Sequence, residues 1–428
     1  MMDIVLIGMN HTTAPLEVRE RLSIACNDDG ETCERLKGIS EVKEALYLST
    51  CNRVEVLARV GDHERALAGL KAFILSHGNL SPAELARCLY VHHDEDAVRH
   101  VFRVAASLDS MVMGEPQILG QVKDAYRRAV ECETSGVILN RLFHHAFRVA
   151  KRVRTETGIA GNAVSVSATA VELAKKIVGD LAQKTALLVG AGEMAELAAR
   201  HLHGKGIGKL IFANRNHDRA LEFARDFGGA AVPFDRFEHA LDEADIVISS
   251  TGAPGYVIRE DMVAAALRRR RSRLLFLIDI AVPRDIDPAV GSIDNVYLYN
   301  IDDLQEVVDE NVKGRREEAQ KAEAIVLEEV GNFARWFKGL EVVPTIVDLR
   351  SKIDAITAGE LEKSSSWMKT LDSDDKKNVE ILIDSIINKI LHDPVTGLRE
   401  ESENGGANPY VAVIKRLFRL ERDEEDVS

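Results

Sequence analysis

Two short stretches of this chain combine residue types at spacings that do chemistry. The first is Ser49-Thr50-Cys51-Asn52-Arg53, which falls between two strand-like runs and puts Cys51 on a short turn flanked by polar groups and a cation. A neighbouring arginine lowers a thiol's pKa and raises its thiolate fraction, which is what a nucleophilic cysteine needs. A small buried side chain, the commoner fate of a free cysteine, is the competing reading. The second stretch is Leu187-Leu188-Val189-Gly190-Ala191-Gly192-Glu193-Met194-Ala195, a G-x-G-x-x-A pattern that follows a strand and opens a helix. Gly190 allows a tight turn, Gly192 lets the backbone approach a pyrophosphate, and Ala195 permits close helix–strand packing. The helix N-terminus then offers free N–H groups to phosphates. The next strand ends Phe212-Ala213-Asn214-Arg215-Asn216. An NAD site usually carries an acidic residue near this point, whereas an arginine accommodates a 2′-phosphate, so Arg215 favours NADP. Ser250-Thr251-Gly252 and Asp279-Ile280-Ala281-Val282-Pro283-Arg284 follow later strands, where a parallel sheet lines its cofactor cleft.

The elements that must position these residues fall into three regions. Over 1–155, strand-like runs (Ile4–Gly8, Ala45–Ser49, Val54–Val60) alternate with helical stretches such as Ala83–Leu89 and Ala97–Ala106. Over 156–300, Thr185–Val189, Lys209–Ala213, Asp245–Ser249 and Leu274–Ile278 are buried-strand runs separated by helical segments, the cadence of a doubly wound parallel sheet. Over 301–428 strands disappear. Leu304, Val308, Val312, Ala319, Ala322, Val326, Val330, Phe333 and Phe337 recur mostly at spacings of three, four or seven, as do Ile346, Leu349, Ile353 and Ile356, then Val379, Leu382, Ile386 and Ile390. That pattern predicts one long helix and at least two more, each with one apolar face. Such stripes are usually buried against a second copy, with a monomeric bundle as the competing reading. The expected fold is therefore α/β: an N-terminal α+β catalytic domain, a Rossmann-type NADP-binding domain and a C-terminal helical dimerisation domain. Asp423-Glu424-Glu425-Asp426 reads as a solvated acidic end.

Bulk properties narrow the function classes. The 428 residues exceed one core, and 46% hydrophobic content excludes whole-chain disorder. With a net charge of −14, nucleic acid can bind only through a local basic patch. Arg148-Val149-Ala150-Lys151-Arg152-Val153-Arg154 and Arg268-Arg269-Arg270-Arg271-Ser272-Arg273 are the two candidates, a solvated helix face being the alternative for the second. The five cysteines form no Cys-x-x-Cys pair, so neither a zinc cluster nor a disulfide framework is expected. His92-His93 and His144-His145 are adjacent pairs whose side chains point apart, so no metal is expected. The N-terminus lacks a basic n-region, and no run of about 20 apolar residues exists, which together predict a cytoplasmic, reduced protein without a membrane span.

Three longer motifs carry a resemblance. Gly8-Met9-Asn10-His11-Thr12-Thr13-Ala14, Ser49-Thr50-Cys51-Asn52-Arg53-Val54-Glu55 and Leu108-Asp109-Ser110-Met111-Val112-Met113-Gly114-Glu115-Pro116-Gln117-Ile118-Leu119-Gly120-Gln121-Val122-Lys123 resemble those of the glutamyl-tRNA reductases, as does the Gly190–Ala195 stretch. The resemblance covers essentially the whole chain in the same domain order. Val54 and Met113 depart from the family's commonest wording, at positions that should carry no chemistry.

The resemblance implies a two-step reaction. Glutamate esterified to tRNA is already activated, and the chain has no Walker loop for ATP. The Cys51 thiolate would attack that ester, tRNA would leave, and NADPH would reduce the thioester to glutamate-1-semialdehyde, the first step of the five-carbon route to tetrapyrroles. His100 matches the family's histidine and could protonate a leaving oxygen or steady an oxyanion, a structural helix histidine being the alternative. Thr50, Asn52, Arg53, Ser110, Glu115, Pro116, Gln117 and Gln121 would line the glutamate pocket, with Arg53 gripping the carboxylate and Glu115 meeting the ammonium. His11 has no derivable role. A homodimer, and an aminotransferase that receives the reactive aldehyde, are further implications. Two other readings compete: a reductase of a small free carbonyl, and a non-catalytic NADP-sensing tRNA-binding regulator. Neither needs a nucleophilic thiol. Hydride transfer also needs roughly 3–3.5 Å between reacting atoms, although Cys51 and the nicotinamide belong to separate domains. The cofactor domain is thus expected to swing about segments near 156–165 and 300, where Gly158, Gly161 and Asp302-Asp303 mark breaks.

Overall fold

The computed structural model describes residues 2–25, 29–115, 117–159, 166–271, 273–304, 316–403 and 407–420. The chain divides into two compact units at Leu327/Glu328. The first holds two sheets.

The first sheet is antiparallel with order β2-β3-β1-β4, formed by β1 (Ile4–Asn10), β2 (Val42–Ser49), β3 (Arg53–Val60) and β4 (Tyr90–His93). β1 is apolar almost throughout and buried along its whole length, the pattern of a strand covered on both faces. On one face Val5, Ile7, Met9, Val54 and Val56 pack with Val18 and Leu22 of α1 (Leu16–Ala25), Leu36 of α2 (Asp29–Lys37), Leu70 and Phe73 of α3 (His63–His77), and Leu85 of α4 (Pro82–Cys88). On the other, Leu6, Leu46, Leu48 and Leu57 face Val101 of α5 (Asp94–Ala105), Val122 of α6 (Gln117–Glu131) and Phe143 of α7 (Val137–Glu156). Glu44 of β2, buried, accepts from the backbone N–H groups of Gly136, Ile138 and Leu139 at 2.9, 3.3 and 2.8 Å. A carboxylate thereby caps the N-terminus of α7, where free donors and the helix dipole favour negative charge.

The second sheet is fully parallel, in the order β10-β9-β8-β5-β6-β7. Its strands are β5 (Thr185–Val189), β6 (Lys209–Asn214), β7 (Ala230–Pro233), β8 (Ile246–Ser249), β9 (Leu275–Asp279) and β10 (Val296–Asn300). Chain order reverses between β5 and β8, which creates the crevice where such sheets bind ligands. α8 (Val166–Val178), α9 (Glu193–Gly204), α10 (His217–Asp226) and α11 (Glu260–Arg269) accompany it. Three strands lie outside the sequence expectation. β4 and β7 are four residues each, β4 carrying two histidines and β7 ending in proline, and β4, β7 and β10 are all sheet edges.

The two basic runs part company. Arg148, Lys151 and Arg154 are exposed along α7. Arg270, by contrast, is buried: it donates to the carbonyls of Leu241 (2.6 Å), Ala244 and Leu274 (2.9 Å), and burial pushes its pKa down to about 10. Arg269 pairs with Asp242 at 2.7 Å and Arg273 with Asp245 at 3.3 Å, so much of this run ties α11 to its surroundings.

The second unit is helical. The break falls within α12 (Arg316–Gly339), and α13 (Val343–Lys363), α14 (Ser365–Met368), α15 (Ser373–Glu403) and α16 (Ala407–Phe418) follow. Val342 and Leu398 form a small core with Ile346, Val411 and Ile414. Of the expected stripes Leu349 is buried, whereas Ile356, Leu382, Ile386 and Ile390 remain 56%, 60%, 49% and 63% exposed, far more than one such core can cover. The acidic end at 423–426, and Val308 and Val312 of the first stripe, lie outside the described residues. No helix among the described residues is long and apolar enough to cross a membrane.

Replacing Arg270 with Leu leaves three carbonyls without their donor. We expect a loss of about 2–3 kcal/mol of stability in a urea titration; a change near zero would show that the carbonyls find other partners.

Candidate functional site

β2 and β3 are joined by three residues, Thr50-Cys51-Asn52, and local polar groups lock the turn. Thr50 N donates to Arg53 O at 2.9 Å, and Thr50 Oγ1 accepts from the N–H groups of Asn52 and Arg53, both at 3.1 Å. A hydroxyl at the first turn position satisfies donors that the hairpin leaves free. His11 N donates to Asn52 O at 2.9 Å, which joins the turn to the end of β1. Asn10 Oδ1 accepts from the N–H groups of Thr12 and Thr13 at 3.0 and 3.2 Å, and Asn10 Nδ2 donates to Asp109 Oδ2 at 3.3 Å. The three N-terminal motifs thus converge on one site.

Behind the turn lies a buried ionic cluster. Glu55 Oε1 accepts from Arg53 at 2.7 Å, from the Tyr90 hydroxyl at 2.6 Å and from His100 Nε2 at 2.8 Å. Gly8 faces Glu55 across the sheet, and a Cβ at Gly8 would lie 2.7 Å from Glu55 Cγ, so only glycine lets that side chain lie there. Burial works against the Glu55 charge, but Arg53 and His100 outweigh it and hold the carboxyl well below its ordinary range. The other side of Arg53 donates to the Asp109 carbonyl and, at 3.0 Å, to its carboxylate. Its side chain is 1% exposed. Arg53, expected as a substrate clamp, therefore has its guanidinium engaged by protein groups and acts on the site from behind. His100 reaches the Cys51 turn only through Glu55 and Arg53; it is stacked on His92 with centroids 4.8 Å apart and faces a cleft lined also by Asn10, Thr12 and Asp109.

The remaining expected residues are placed unevenly. Thr50 and Asn52 build the turn. Among the described residues, Ser110 Oγ and Glu115 Oε1 are buried with no hydrogen-bond partner, as is His11 Nδ1. Gln117 and Gln121 are half-buried at the start of α6, and Pro116 lies outside the described residues. Orphaned buried polar atoms of this kind are candidates for completion by a polar ligand.

Cys51 itself packs against an apolar cluster containing Leu16, Met111 and Val112 together with Ala191 and Ala195 of the parallel-sheet domain. Burial pushes its thiol up to about 11, and Glu115 adds to the rise, against the pull of Arg19 and Arg53. The expected depression by a neighbouring arginine is thus reversed, because desolvation outweighs the cations. Glu115 is pushed up to about 7 by burial, with Glu193 adding to the rise and a backbone hydrogen bond at Val166 opposing it. In this packed arrangement the sulfur is a neutral thiol beside a carboxyl that exchanges its proton near neutrality.

The dinucleotide stretch adopts the expected form. Gly190 has φ +109°, and a Cβ there would meet Ser250 O at 2.2 Å. Gly192 caps α9, Glu193 and Met194 begin its first turn, and Ala195 is fully buried. Gly190, Ala191, Gly192, Arg215, Arg219, Phe234 and Thr251 line a cavity of about 310 Å³. β6 ends at Asn214, and no carboxylate is among the described residues lining the cleft, while Arg215 and Arg219 both face it and Arg215 lies 5.8 Å over the Phe234 ring. These residues fit a dinucleotide that carries an extra phosphate. Buried Asp285 accepts from Ser249 Oγ (2.7 Å), Thr251 N (2.7 Å) and Thr251 Oγ1 (2.5 Å), which fixes the loop forming the far wall.

Sequence reasoning missed Arg19, Glu55, Tyr90, Asp109, Arg219 and Asp285. Arg53 and Glu55 did carry a signal, since two charges at alternate positions of a strand buried on both faces require partners. Arg19, within Val18-Arg19-Glu20-Arg21, reads as solvated helix surface, yet its side chain is 1% exposed.

The chain matches the N-terminal domain of glutamyl-tRNAGlu reductase over residues 7–157, the shikimate/quinate 5-dehydrogenase family over 172–307, and the dimerisation domain of glutamyl-tRNAGlu reductase over 321–420. It is 59% identical to the glutamyl-tRNA reductase of Syntrophus aciditrophicus over 98% of this chain and 100% of that one. It is 49% identical to that of Geobacter metallireducens over 99% and 98%. Among solved structures, the Methanopyrus kandleri glutamyl-tRNA reductase is 34% identical over 97% of this chain and 99% of that one, with a TM-score of 0.49.

Glu115 links folding to pH. Its folded pKa, near 7, exceeds the ordinary carboxyl value, so stability present at low pH falls as pH rises towards and through 7. Glu115→Gln should raise the melting temperature at pH 8 relative to the parent and change it little near pH 4. An equal shift at both would show that the carboxyl does not titrate in this range.

Proposed function

The chain belongs to the glutamyl-tRNA reductase family, and from that premise we propose that it reduces glutamyl-tRNA(Glu) to glutamate-1-semialdehyde in two half-reactions at one cysteine, using NADPH. The observation that carries this reading is the convergence of three motifs on the Cys51 turn, with Cys51 packed on the cluster that contains Ala191 and Ala195. Residues 1–155 act as the acyl-transfer domain, 156–300 as the NADP-binding domain and 301–428 as the linker helix and dimerisation domain.

In the first half-reaction the Cys51 sulfur bonds to the ester carbon, the bond from that carbon to the tRNA ribose oxygen breaks, and the thiol proton leaves with the tRNA hydroxyl. A thiolate is disfavoured in the packed arrangement, where Cys51 is half-buried, so fuller exposure of Cys51 favours acylation. The thioester is neutral and tolerates the apolar surroundings that penalise the thiolate. Gly190, Gly192 and the α9 N-terminus would hold the pyrophosphate, and Arg215 and Arg219 the 2′-phosphate. NADPH bound there would supply a hydride to the acyl carbon; the bond from that carbon to sulfur breaks, which frees the aldehyde and leaves Cys51 as a thiolate. Glu115, able to carry a proton at neutral pH, reprotonates that sulfur; Ser110, Gln117 and Gln121 orient the glutamyl group, and Pro116 belongs to the same segment. Arg53 and Glu55 fix the turn and hold His100 at its edge.

Arg148, Lys151 and Arg154 on α7 supply phosphate contacts for the tRNA. The apolar faces of α13 and α15 pair with a second copy, and an aminotransferase receives the aldehyde. The protein works in the reducing cytoplasm.

Incubation with glutamyl-tRNA but no NADPH, followed by mass spectrometry, should find one glutamyl group on the Cys51 peptide, removed by hydroxylamine and absent from Cys51→Ser. Reduction by Cys51→Ser at the parental rate would refute the mechanism. Arg215→Ala and Arg219→Ala should each raise KM for NADPH about tenfold and leave KM for NADH unchanged; equal effects on both would remove the 2′-phosphate assignment.

A further inference from the structure

Two consecutive residues of α1, opposite in charge, reach the parallel-sheet domain and the residues that directly follow its last strand. Arg19 donates from Nε to Ala14 O at 3.2 Å, and from one terminal nitrogen to Cys51 O at 2.8 Å and Asn52 Oδ1 at 3.3 Å. Its other terminal nitrogen binds both carboxylate oxygens of Asp302, at 2.5 and 2.7 Å. Glu20 accepts from the Arg284 backbone N–H at 2.7 Å and from two Arg284 guanidinium nitrogens, each at 2.9 Å. Arg284 follows β9 and Asp302 follows β10, so both anchors lie at the carboxyl ends of neighbouring parallel strands, the edge that lines the cofactor crevice. Leu16, one turn earlier on α1, joins the apolar cluster that holds Ala191, Ala195 and Cys51.

The pairing is crossed: cation then anion on α1, facing anion and cation on the sheet edge. Shifted or rotated docking sets like charges opposite one another, which costs more than the pairs gain. Three of the four side chains are largely buried, Arg19 at 1%, Glu20 at 13% and Arg284 at 16% exposed, while Asp302 is 37% exposed. Such pairs recover little net stability over their desolvation cost and act chiefly on specificity. Arg19 further ties this docking to the backbone of the nucleophile itself.

We propose that Arg19 and Glu20 are positioning residues for the reduction step, their crossed ion pairs with Asp302 and Arg284 setting the register in which the dinucleotide domain docks on the Cys51 turn. This rests on the two-step thioester reading above. Acyl transfer needs the Cys51 turn and its substrate pocket, whereas hydride transfer needs the docked domain, so the two half-reactions respond differently to loss of the pairs.

The test uses the full-length Glu20→Arg and Arg284→Glu proteins and the exchanged double variant, E20R/R284E. Without NADPH, tRNA release and the Cys51 adduct should form within about twofold of the parental rate. With NADPH added to the preformed adduct, semialdehyde formation should fall about tenfold or more in each single variant, ~1.4 kcal/mol of barrier. The double variant should regain most of that loss. Hydrogen exchange across α1 and the Pro283–Ile286 segment should rise in both single variants and return in the double. Equal losses in both half-reactions, or a double variant no better than the worse single one, would overturn the proposal. Absence of any adduct in the parent would overturn the thioester reading, while the exchange data would still decide whether the crossed pairs set the docking.

Discussion

Arg53 and Glu55 place opposite charges at alternate positions of β3, a strand covered on both faces, and the architecture of the first domain follows from pairing them. A buried carboxylate without donors is untenable, so Glu55 collects Arg53, Tyr90 and His100. Arg53 in turn takes Asp109, and Asp109 takes Asn10. Strand ends, α5 and the loop before α6 are thereby held to one turn of three residues. Removing one member of such a cluster leaves an uncompensated buried charge and costs about 3–5 kcal/mol. The nucleophile is rigid because its neighbours are electrostatically indispensable to one another.

That rigidity divides the chemistry in space. The ionic cluster lies behind the turn, the Ser110, Glu115 and His11 atoms are orphaned among the described residues, and Cys51 packs half-buried on an apolar cluster shared with the dinucleotide domain. Desolvation penalises the thiolate and spares the thioester, so the packed arrangement suits the acylated enzyme better than the free nucleophile. Packing of Cys51 on the apolar cluster shared with the dinucleotide domain thus fits the second half of the reaction, and fuller exposure of Cys51 the first.

Much of this was legible in the chain. Period and composition located both sheets, because buried parallel strands such as Ala186–Val189 and Ile246–Ser249 are nearly all apolar. The G-x-G-x-x-A stretch carries its own steric reason, as the 2.2 Å approach to Ser250 O at Gly190 demonstrates. The short edge strands β4, β7 and β10 were missed because proline, histidine and half-exposure dilute the pattern. Motifs could name candidate site residues, but not how packing disposes them. Arg53 looks like a ligand clamp in one dimension and is an internal counter-ion in three, since burial is a property of packing. Arg19 and Glu20 had no signal, because a charged pair on a helix reads as solvent-facing until a second domain is placed over it.

The central claim is that the hydride goes to an acyl group carried on Cys51. The most direct measurement isolates the glutamyl-Cys51 protein free of tRNA, adds NADPH deuterated at its hydride position, and follows adduct and product in one turnover. Semialdehyde should appear as fast as the adduct disappears, in equal amount, with one deuterium on the aldehyde carbon. Semialdehyde formed only when tRNA is restored, while the Cys51 adduct persists, would contradict it.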